Sequence, residues 1–287
     1  MKVLITGAYG YIGKHVVTEC LRRGMETLVV DRMEREHIPN VKFFKYDVLQ
    51  DGNYSGLYDI LGMPDVIIHL AWSDGFNHKT DSHIINLPGH YLFIKNMVDS
   101  GCKSISVMGT MHEVGYYEGE INENTPCNPM SLYGIAKNAL RQALMTYVED
   151  KDVSLKWLRG FYIVGDDKNN HSIFSKILEM SSNCQKTFPF TSGLNKYDFL
   201  NVDELAKQIV SAASQNEVDG IINCCSGKPV ALKDKVEEFI IKNRLDIKPE
   251  YGKFPTRKYD SPCIYGNIDK ISIIKQGEIR NDIKKDC

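Results

Sequence analysis

Tyr133 and Lys137 are spaced as a pair that could transfer protons. They lie four residues apart in a segment of helical periodicity, residues 132–148. This spacing places both side chains on one face of a helix. Because a free phenol has a pKa of about 10, Tyr133 needs a neighbouring positive charge to act near neutral pH. An ammonium at Lys137 would lower the pKa of Tyr133, so the pair predicts an acid/base site.

Thr110 is the third candidate catalytic residue. It follows a predicted strand at residues 104–108, and Gly109 separates the two. A hydroxyl at the carboxyl end of a parallel strand faces the cleft in which open α/β sheets bind ligands. Thr110 could therefore hydrogen-bond the substrate oxygen that Tyr133 protonates or deprotonates. Taken alone, Thr110 fits a turn hydroxyl or a helix cap equally well.

A glycine-rich turn joins the first predicted strand, residues 2–6, to a predicted helix at residues 12–23. Gly7 permits a tight turn, Gly10 allows a pyrophosphate to approach the backbone, and Gly13 lets the helix pack on the strand. The amino end of the helix then offers free N–H groups to phosphates. The position at the first strand-to-helix turn predicts a dinucleotide site, which includes the intervening Tyr9, Tyr11 and Ile12.

Asp31 follows the second predicted strand, residues 26–30. A carboxylate there accepts hydrogen bonds from the adenosine ribose and repels a 2′-phosphate, so NAD(H) is the preferred cofactor. Arg32 could pair with a 2′-phosphate, which leaves NADP(H) possible. A solvated acid at the end of a strand is the alternative interpretation of Asp31. The positive charge of an oxidised nicotinamide would assist Tyr133, and Lys137 could hold the nicotinamide ribose.

Short apolar runs alternate with helical stretches along the first half of the chain. This alternation predicts an α/β fold with a Rossmann-type, doubly wound parallel sheet over residues 1–165. Six strands are expected, at residues 2–6, 26–30, 41–45, 65–70, 104–108 and 155–158, and helices at residues 12–23, 83–98 and 132–148.

Residues 166–287 are expected to form a smaller, mixed substrate lobe. Helices are predicted at residues 173–180, 204–213 and 233–242. A strand at residues 220–223 could return to the main sheet, so the two parts are expected to interleave near residues 200–225. The charged tail, residues 275–287, is expected to be frayed.

Composition excludes several classes of function. The 287 residues carry a net charge of −2, and Lys and Arg are scattered, so a nucleic-acid partner is not expected. Apolar runs are shorter than the ~20 residues that span a bilayer, and the chain begins directly with a strand. We therefore expect a cytoplasmic protein with no membrane partner. Eight cysteines without any CxxC pair indicate reduced thiols and no metal site.

These features in this order resemble the extended short-chain dehydrogenases/reductases, the NAD-dependent epimerases, dehydratases and reductases of nucleotide sugars. The resemblance covers nearly the whole chain. It implies that Asp47 and Val48 lie against the adenine and that Leu70 and Ala71 belong to the cofactor site. Trp72 could wall the nicotinamide pocket or serve only in packing. Further matches are His69, Asn86, Glu123, Pro126, Pro129, Leu158, Arg159 and residues 197–204 and 266–270.

Departures from the family pattern reduce the number of reactions that the chain is expected to catalyse. Dehydratases of this family carry an Asp-Glu pair directly after the catalytic Thr, where this chain has Met111 and His112. Met111 can supply neither acid nor base, so dehydration is not expected. Relatives that epimerise twice carry a cysteine at the position of Met111, and Cys127 is too distant to replace it. His112 could be an additional acid or base, or a loop histidine with a structural hydrogen bond.

The residues at the positions that bind substrate in relatives also differ from the family pattern. Tyr162 stands where many relatives have an asparagine that contacts the sugar diphosphate, and Tyr197 replaces an arginine, with Lys196 beside it. The expected substrate residues are Met111, His112, Tyr162, Lys196 and Tyr197.

The leading hypothesis is a reductase of a 4-keto-6-deoxy sugar nucleotide, in which Tyr133 moves the proton on the sugar oxygen. A 4-epimerase that retains NAD and an enzyme for a sugar-like molecule without a nucleotide are alternatives. A non-catalytic dinucleotide-sensing regulator is the competing class. A homodimer is possible through the helix that carries Tyr133, where Leu140, Leu144 and Tyr147 could face a partner or the core.

Overall fold

A computed structural model describes residues 1–49, 52, 54–165, 172–255 and 260–285, the last five of them by backbone alone. The strands are β1 (Lys2–Thr6), β2 (Glu26–Asp31), β3 (Val41–Lys45), β4 (Val66–His69), β5 (Ser104–Thr110), β6 (Gly119–Ile121), β7 (Ser154–Gly160), β8 (Tyr162–Val164), β9 (Thr187–Pro189), β10 (Lys196–Asn201), β11 (Gly220–Cys224), β12 (Pro229–Ala231), β13 (Lys248–Glu250) and β14 (Cys263–Gly266). The helices are α1 (Tyr11–Arg22), α2 (Leu57–Ile60), α3 (Ser82–Ile85), α4 (Leu87–Asp99), α5 (Leu132–Val148), α6 (Ile173–Ser182), α7 (Val202–Ala213), α8 (Leu232–Lys242) and α9 (Asp269–Lys285).

The main sheet has seven strands in the order β11-β7-β5-β4-β1-β2-β3, and every pairing in it is parallel. The chain runs outward from β1 to β3 and then crosses back to β4, so the strand order reverses between β1 and β4. Strands β4 and β5 are buried along their whole length, as expected where helices cover both faces of a parallel sheet. This confirms the predicted doubly wound fold, whose ligand crevice lies at such a reversal.

Helices α4 and α5 cover one face of the sheet and α1 and α7 cover the other. Leu140 and Leu144 are fully buried in the core beneath α5. They pack in the core and do not present a face to a partner. Tyr147, also on α5, donates a hydrogen bond to Asp99 at the end of α4.

A second sheet in the order β12-β10-β14-β6, with β8 against β10, forms the lobe beside the carboxyl end of the main sheet. Strand β6 comes from the first half of the chain, whereas β11, from the second half, lies at the edge of the main sheet. The chain therefore passes between the two parts more than once. Two apolar clusters fill the lobe, one around Phe161 and Ile264 and one around Phe174 and Phe188.

Two expectations about helices are wrong. Residues 275–285 of the tail expected to be frayed continue α9, because Ile271 and Ile274 at its start are buried and the carboxylate of Glu278 accepts a hydrogen bond of 2.6 Å from Arg23. Residues 286 and 287 lie outside the described residues. The helix expected at residues 83–98 is two helices, α3 and α4, because Pro88 lacks an N–H and fits only the first turn of a helix. All other predicted strands and helices lie within two residues of the observed bounds. Among the described helices, none combines the length and the apolar character that a membrane crossing requires.

Candidate active site

A cleft opens at the carboxyl ends of β1, β2 and β4, where the strand order reverses. Nine of the predicted cofactor residues line it: Gly7, Gly10, Asp31, Arg32, Asp47, Val48, Leu70, Ala71 and Trp72. Arg35, Tyr46, Leu49 and Ser73 also line the cleft and were not predicted. Arg35 lies in a segment without regular secondary structure, so no spacing rule could have indicated it.

The glycine turn leaves no room for side chains. Gly7 has a φ of +70°, and a Cβ there would lie 2.7 Å from the Ala71 nitrogen. At Gly13 a Cβ would lie 2.2 Å from the Gly7 carbonyl oxygen. Helix α1 follows directly, and no side chain caps its amino end. The exposed backbone and the free N–H groups fit the pyrophosphate of a dinucleotide.

The side chains of Tyr9, Tyr11 and Ile12 lie behind the glycine turn. Tyr9 is buried in the core, and its hydroxyl donates to the Glu36 carbonyl at 3.1 Å. The Tyr11 hydroxyl donates to the carbonyl of Gly165, which ties the turn to the end of the first half. Ile12 packs against the core cluster of α1 and α7. These residues support the turn, and they do not line the cleft.

Thr110 ends β5 and caps a single 3-10 turn, residues 111–113. Its hydroxyl accepts from the His112 N–H at 3.3 Å, and its own N–H donates to the Glu113 carboxylate at 2.7 Å. Thr110 is therefore a helix cap, and its hydroxyl is close enough to the Tyr133 phenol to lower the pKa of that phenol. The cap fixes the hydroxyl beside the phenol.

Glu113 was not predicted, although Thr-x-x-Glu is the sequence of a capping box. Its carboxylate is fully buried and accepts from the Trp157 indole N–H at 2.8 Å. Arg141 and Arg159 lie 3.4 and 3.7 Å from it, respectively. Cys127 accepts weak hydrogen bonds of 3.8 Å from both arginines, so it belongs to this support and not to the cleft.

Tyr133 lies in the first turn of α5, whose amino end is capped by Ser131. Burial raises the pKa of Tyr133 to about 12, and the hydrogen bond with Thr110 opposes this shift. The expectation that Lys137 lowers the pKa of Tyr133 is wrong for this structure, because the ammonium points elsewhere. It donates to the Met108 carbonyl at 2.7 Å and lies 3.8 Å from the centre of the Trp72 ring. Burial lowers the pKa of Lys137 to about 7.

Histidines converge on Tyr133, a feature that the sequence did not reveal. We call the group of His69, His78, His83, His90, His112 and Trp72 the imidazole cluster. The His78 ring stacks on Tyr133 with centroids 4.9 Å apart and an interplanar angle of 18°. The rings of His78 and His112 are 4.5 Å apart. These residues come from β4, the loop after it, α3, α4 and the 3-10 turn, so no local spacing could indicate their meeting. Within the described residues, no group of His, Cys, Asp or Glu is arranged to hold a metal ion.

His112 has the chemistry of a neutral hydrogen-bonding group. Burial, with His78 nearby, lowers the pKa of His112 to about 3. Its backbone N–H bonds to Thr110, while its ring makes contacts with His78 and Tyr133. The ring forms no hydrogen bond to another described residue.

The other expected substrate residues form a wall in part. Tyr162 stacks on Tyr197 with centroids 4.3 Å apart. Met111 packs into the same apolar cluster, and both Met111 and Tyr197 are only 6% exposed. Lys196 is exposed and lies outside this wall, because neighbouring residues of a strand point to opposite faces.

The chain is similar to known proteins over most of its length. The model of the NAD dependent epimerase/dehydratase family matches residues 3–225. A dTDP-6-deoxy-L-talose 4-dehydrogenase (NAD(+)) from Aggregatibacter actinomycetemcomitans is 44% identical over 270 residues, which cover 93% of this chain and 99% of that protein.

Solved structures share the fold. The UDP-Glc/GlcNAc 4-epimerase from Campylobacter jejuni superposes with a TM-score of 0.81 at 18% identity, covering 95% of this chain and 92% of that chain. A UDP-glucuronic acid 4-epimerase from Bacillus cereus, solved with UDP-glucuronic acid and NAD, gives a TM-score of 0.79 at 19% identity, covering 96% and 93%. At these identities the similarity shows the fold alone.

Proposed function

Because the chain belongs to the NAD-dependent epimerase/dehydratase family, we propose that it is an NAD-dependent oxidoreductase acting at C4 of a nucleotide-linked 6-deoxysugar. The reaction interconverts a C4 alcohol and a 4-keto group, so a 4-keto reductase and a 4-dehydrogenase are the two directions of one reaction. The observation that carries the proposal is the 44% identity to a dTDP-6-deoxy-L-talose 4-dehydrogenase over 99% of its length.

The cleft residues would hold the cofactor. The backbone at Gly7 and Gly10 and the amino end of α1 would hold the pyrophosphate, and Asp31 the adenosine ribose. Asp47 and Val48 would lie against the adenine. When bound, NAD supplies the hydride acceptor for C4, or as NADH the hydride donor.

Tyr133 would move the proton on the sugar oxygen at C4. Its hydroxyl stands beside that of Thr110, so one oxygen can bond to both. A phenol with a pKa of about 12 holds its proton, which suits protonation of the oxygen in the reducing direction. In the oxidising direction, the positive charge of the oxidised nicotinamide would favour the phenolate.

The substrate side suits a sugar that lacks a hydroxyl at C6. Met111, which follows Thr110 in the chain, packs with Tyr162 and Tyr197 in one apolar cluster. If the sugar binds against this cluster, a methyl group at C5 is favoured over a hydroxymethyl group. A neutral His112 ring offers one donor and one acceptor, which suits a sugar hydroxyl. Met111 again leaves dehydration without an acid or base.

NADP(H) stays a possible second cofactor. Asp31 repels a 2′-phosphate, whereas Arg32 and Arg35 line the same end of the cleft and could pair with it. We propose that NAD(H) is preferred and that NADP(H) binds more weakly.

The proposal is tested by mixing the purified protein with NAD⁺ and dTDP-6-deoxy-L-talose and recording NADH absorbance. We expect NADH to form together with a 4-keto sugar nucleotide, and the reverse reaction to consume NADH. A C4-epimerised product without net NADH would identify the 4-epimerase instead. Cofactor binding without turnover of any sugar nucleotide would identify a dinucleotide sensor, and turnover of a free sugar would remove the nucleotide from the proposal.

A homodimer is proposed from exposed apolar residues on α3, α4 and α5. Ile85, Leu92 and Ile135 are 72%, 44% and 43% exposed, and the three helices pack beside one another. A second copy would cover such a surface. Light scattering should give twice the chain mass for the wild type and a single chain mass for Leu92→Glu. A monomeric wild type would disprove the dimer.

A further inference from the structure

Trp72 is fixed on several sides by residues of different helices. Its indole N–H donates to His83 Nδ1 at 3.0 Å, and His83 Nε2 in turn donates to the Asn77 carbonyl at 2.9 Å. One face of the indole stacks on His90, with centroids 4.4 Å apart and an interplanar angle of 11°. The plane of Trp72 is therefore set by hydrogen bonding and by stacking together.

A directed chain of hydrogen bonds stands behind His90. The Thr6 hydroxyl accepts from the backbone N–H groups of Leu70 and Ala71, so its own hydrogen donates to His69 Nδ1 at 2.9 Å. His69 then carries its proton on Nε2 and donates to His90 Nδ1 at 2.9 Å. The chain joins the end of β1 to the ring under Trp72.

Lys137 is a buried cation with few partners. The residue is 3% exposed. Its ammonium has three donors, and the Met108 carbonyl at 2.7 Å is its hydrogen-bond acceptor among the described residues. The second favourable contact is the Trp72 ring, whose centre lies 3.8 Å away. A desolvated ammonium over an indole is a strong cation–π contact.

We propose that Trp72 is a positioning residue for Lys137: its indole, held by His83 and by the Thr6-His69-His90 chain, stabilises the charged ammonium and fixes its direction. The ammonium is oriented by its hydrogen bond to the Met108 carbonyl and by its contact with the indole face. The same indole contacts Tyr133, whose ring lies 6.1 Å from that of Trp72.

The same contact sets the proton affinity of Lys137. The titratable groups that face Lys137 and Trp72 come from β4, α3, α4, the 3-10 turn and α5, and they are His69, His83, His90, Glu113 and Tyr133. Burial disfavours the charged form, while Glu113 and the indole favour it. Removing the indole face should therefore lower the pKa of Lys137 below its value of about 7.

The first test uses Trp72 itself as the probe. The chain has two tryptophans, and Trp157 is fully buried with its indole N–H donated to Glu113. Between about pH 5 and about pH 9 we expect the indole emission of the wild type to change with a midpoint near 7. The change should vanish in Lys137→Met and persist in His83→Asn. A change that survives in Lys137→Met, or follows His83, overturns the proposal.

The second test measures kcat/KM against pH, which reports the pKa values of the free enzyme. If Lys137 acts as an ammonium, activity falls as pH rises through its pKa. Trp72→Met fills similar space without a π face, and we expect its alkaline midpoint about one pH unit lower, a tenfold weaker hold on the proton. Trp72→Phe keeps an aromatic face and should move the midpoint less. Equal midpoints in all three proteins would assign Trp72 to packing alone.

This second test rests on the proposed function, whereas the emission test does not. If no sugar nucleotide is turned over, the fluorescence midpoint still reports on the contact between Trp72 and Lys137. Failure of the activity and failure of this inference are therefore distinguishable.

Discussion

The cofactor cleft and the imidazole cluster adjoin at Trp72, yet they are built in different ways. Short local segments that follow β1, β2, β3 and β4 form the cleft, and backbone geometry defines its glycine turn. The cluster consists of side chains from β4, the loop after it, α3, α4 and the 3-10 turn, which hold one another by ring stacking and hydrogen bonds. A backbone-built site tolerates the loss of single side chains, whereas a site of mutually supporting side chains does not.

Tyr133→Phe should lower turnover more than any other variant and should leave cofactor binding in the cleft almost unchanged. The variant keeps the ring that stacks on His78 and loses the hydroxyl. We expect turnover to fall by about 10²–10⁴-fold, while the dissociation constant for NAD stays within about twofold. Steady-state kinetics measure the turnover, and a cofactor titration measures the dissociation constant for NAD.

The matched control is Tyr116→Phe, which removes an exposed phenol that bonds to Glu118. Its turnover should equal that of the wild type. Normal turnover in Tyr133→Phe would show that another group moves the proton.

Glu113→Ala should have the second largest effect, which is a lower free energy of unfolding. The change leaves Arg141 and Arg159 without their buried carboxylate and removes the acceptor of the Thr110 N–H. Removing one partner of a buried ion pair costs about 3–5 kcal/mol in the free energy of unfolding. Urea unfolding compares this variant with Glu113→Gln, which keeps an acceptor and should lose less. A loss below about 1 kcal/mol would mean that water replaces the carboxylate.

Acid should weaken the cluster before it affects the carboxylates. Burial lowers the pKa of His69 from 6.5 to about 3, so below pH 6.5 the unfolded chain binds a proton that the folded chain does not. Stability is therefore full above 6.5 and falls until the pH reaches about 3. At about pH 5 the loss from His69 alone is roughly 2 kcal/mol.

Urea unfolding at about pH 7.5 and about pH 5 measures this loss. His37→Asn, at a histidine whose side chain is 80% exposed, should leave it unchanged. A stability independent of pH over this interval would mean that His69 is protonated in the folded protein.

Asp31→Ala should have the smallest effect, confined to the cleft. The preference for NADH over NADPH should narrow by about tenfold, because a charged acceptor is lost while the backbone turn stays. Binding titrations of both cofactors measure the ratio, and Asp59→Ala on α2 is the control for loss of an exposed acid. An unchanged ratio would remove the role proposed for Asp31.

Sequence reasoning succeeded where one local rule governs the backbone. Helix α5 lies at the predicted residues 132–148, and β1 and β3 also have the predicted bounds. It failed at α9, where docking of Ile271 and Ile274 orders a charged segment. It also assigned the Lys137 ammonium to Tyr133, because i,i+4 spacing defines a helix face and not the direction of a long side chain.

The sequence by itself determined the fold class, the glycine turn, the family and the positions of Thr110, Tyr133 and Lys137, since these follow from local spacing and strand-to-helix order. Only the tertiary structure decided the surroundings of the phenol. Burial raised the pKa of Tyr133, His78 and His112 came to its ring, and Trp72 took the ammonium. Burial and contacts between distant segments depend on how the chain packs, and no local pattern encodes them.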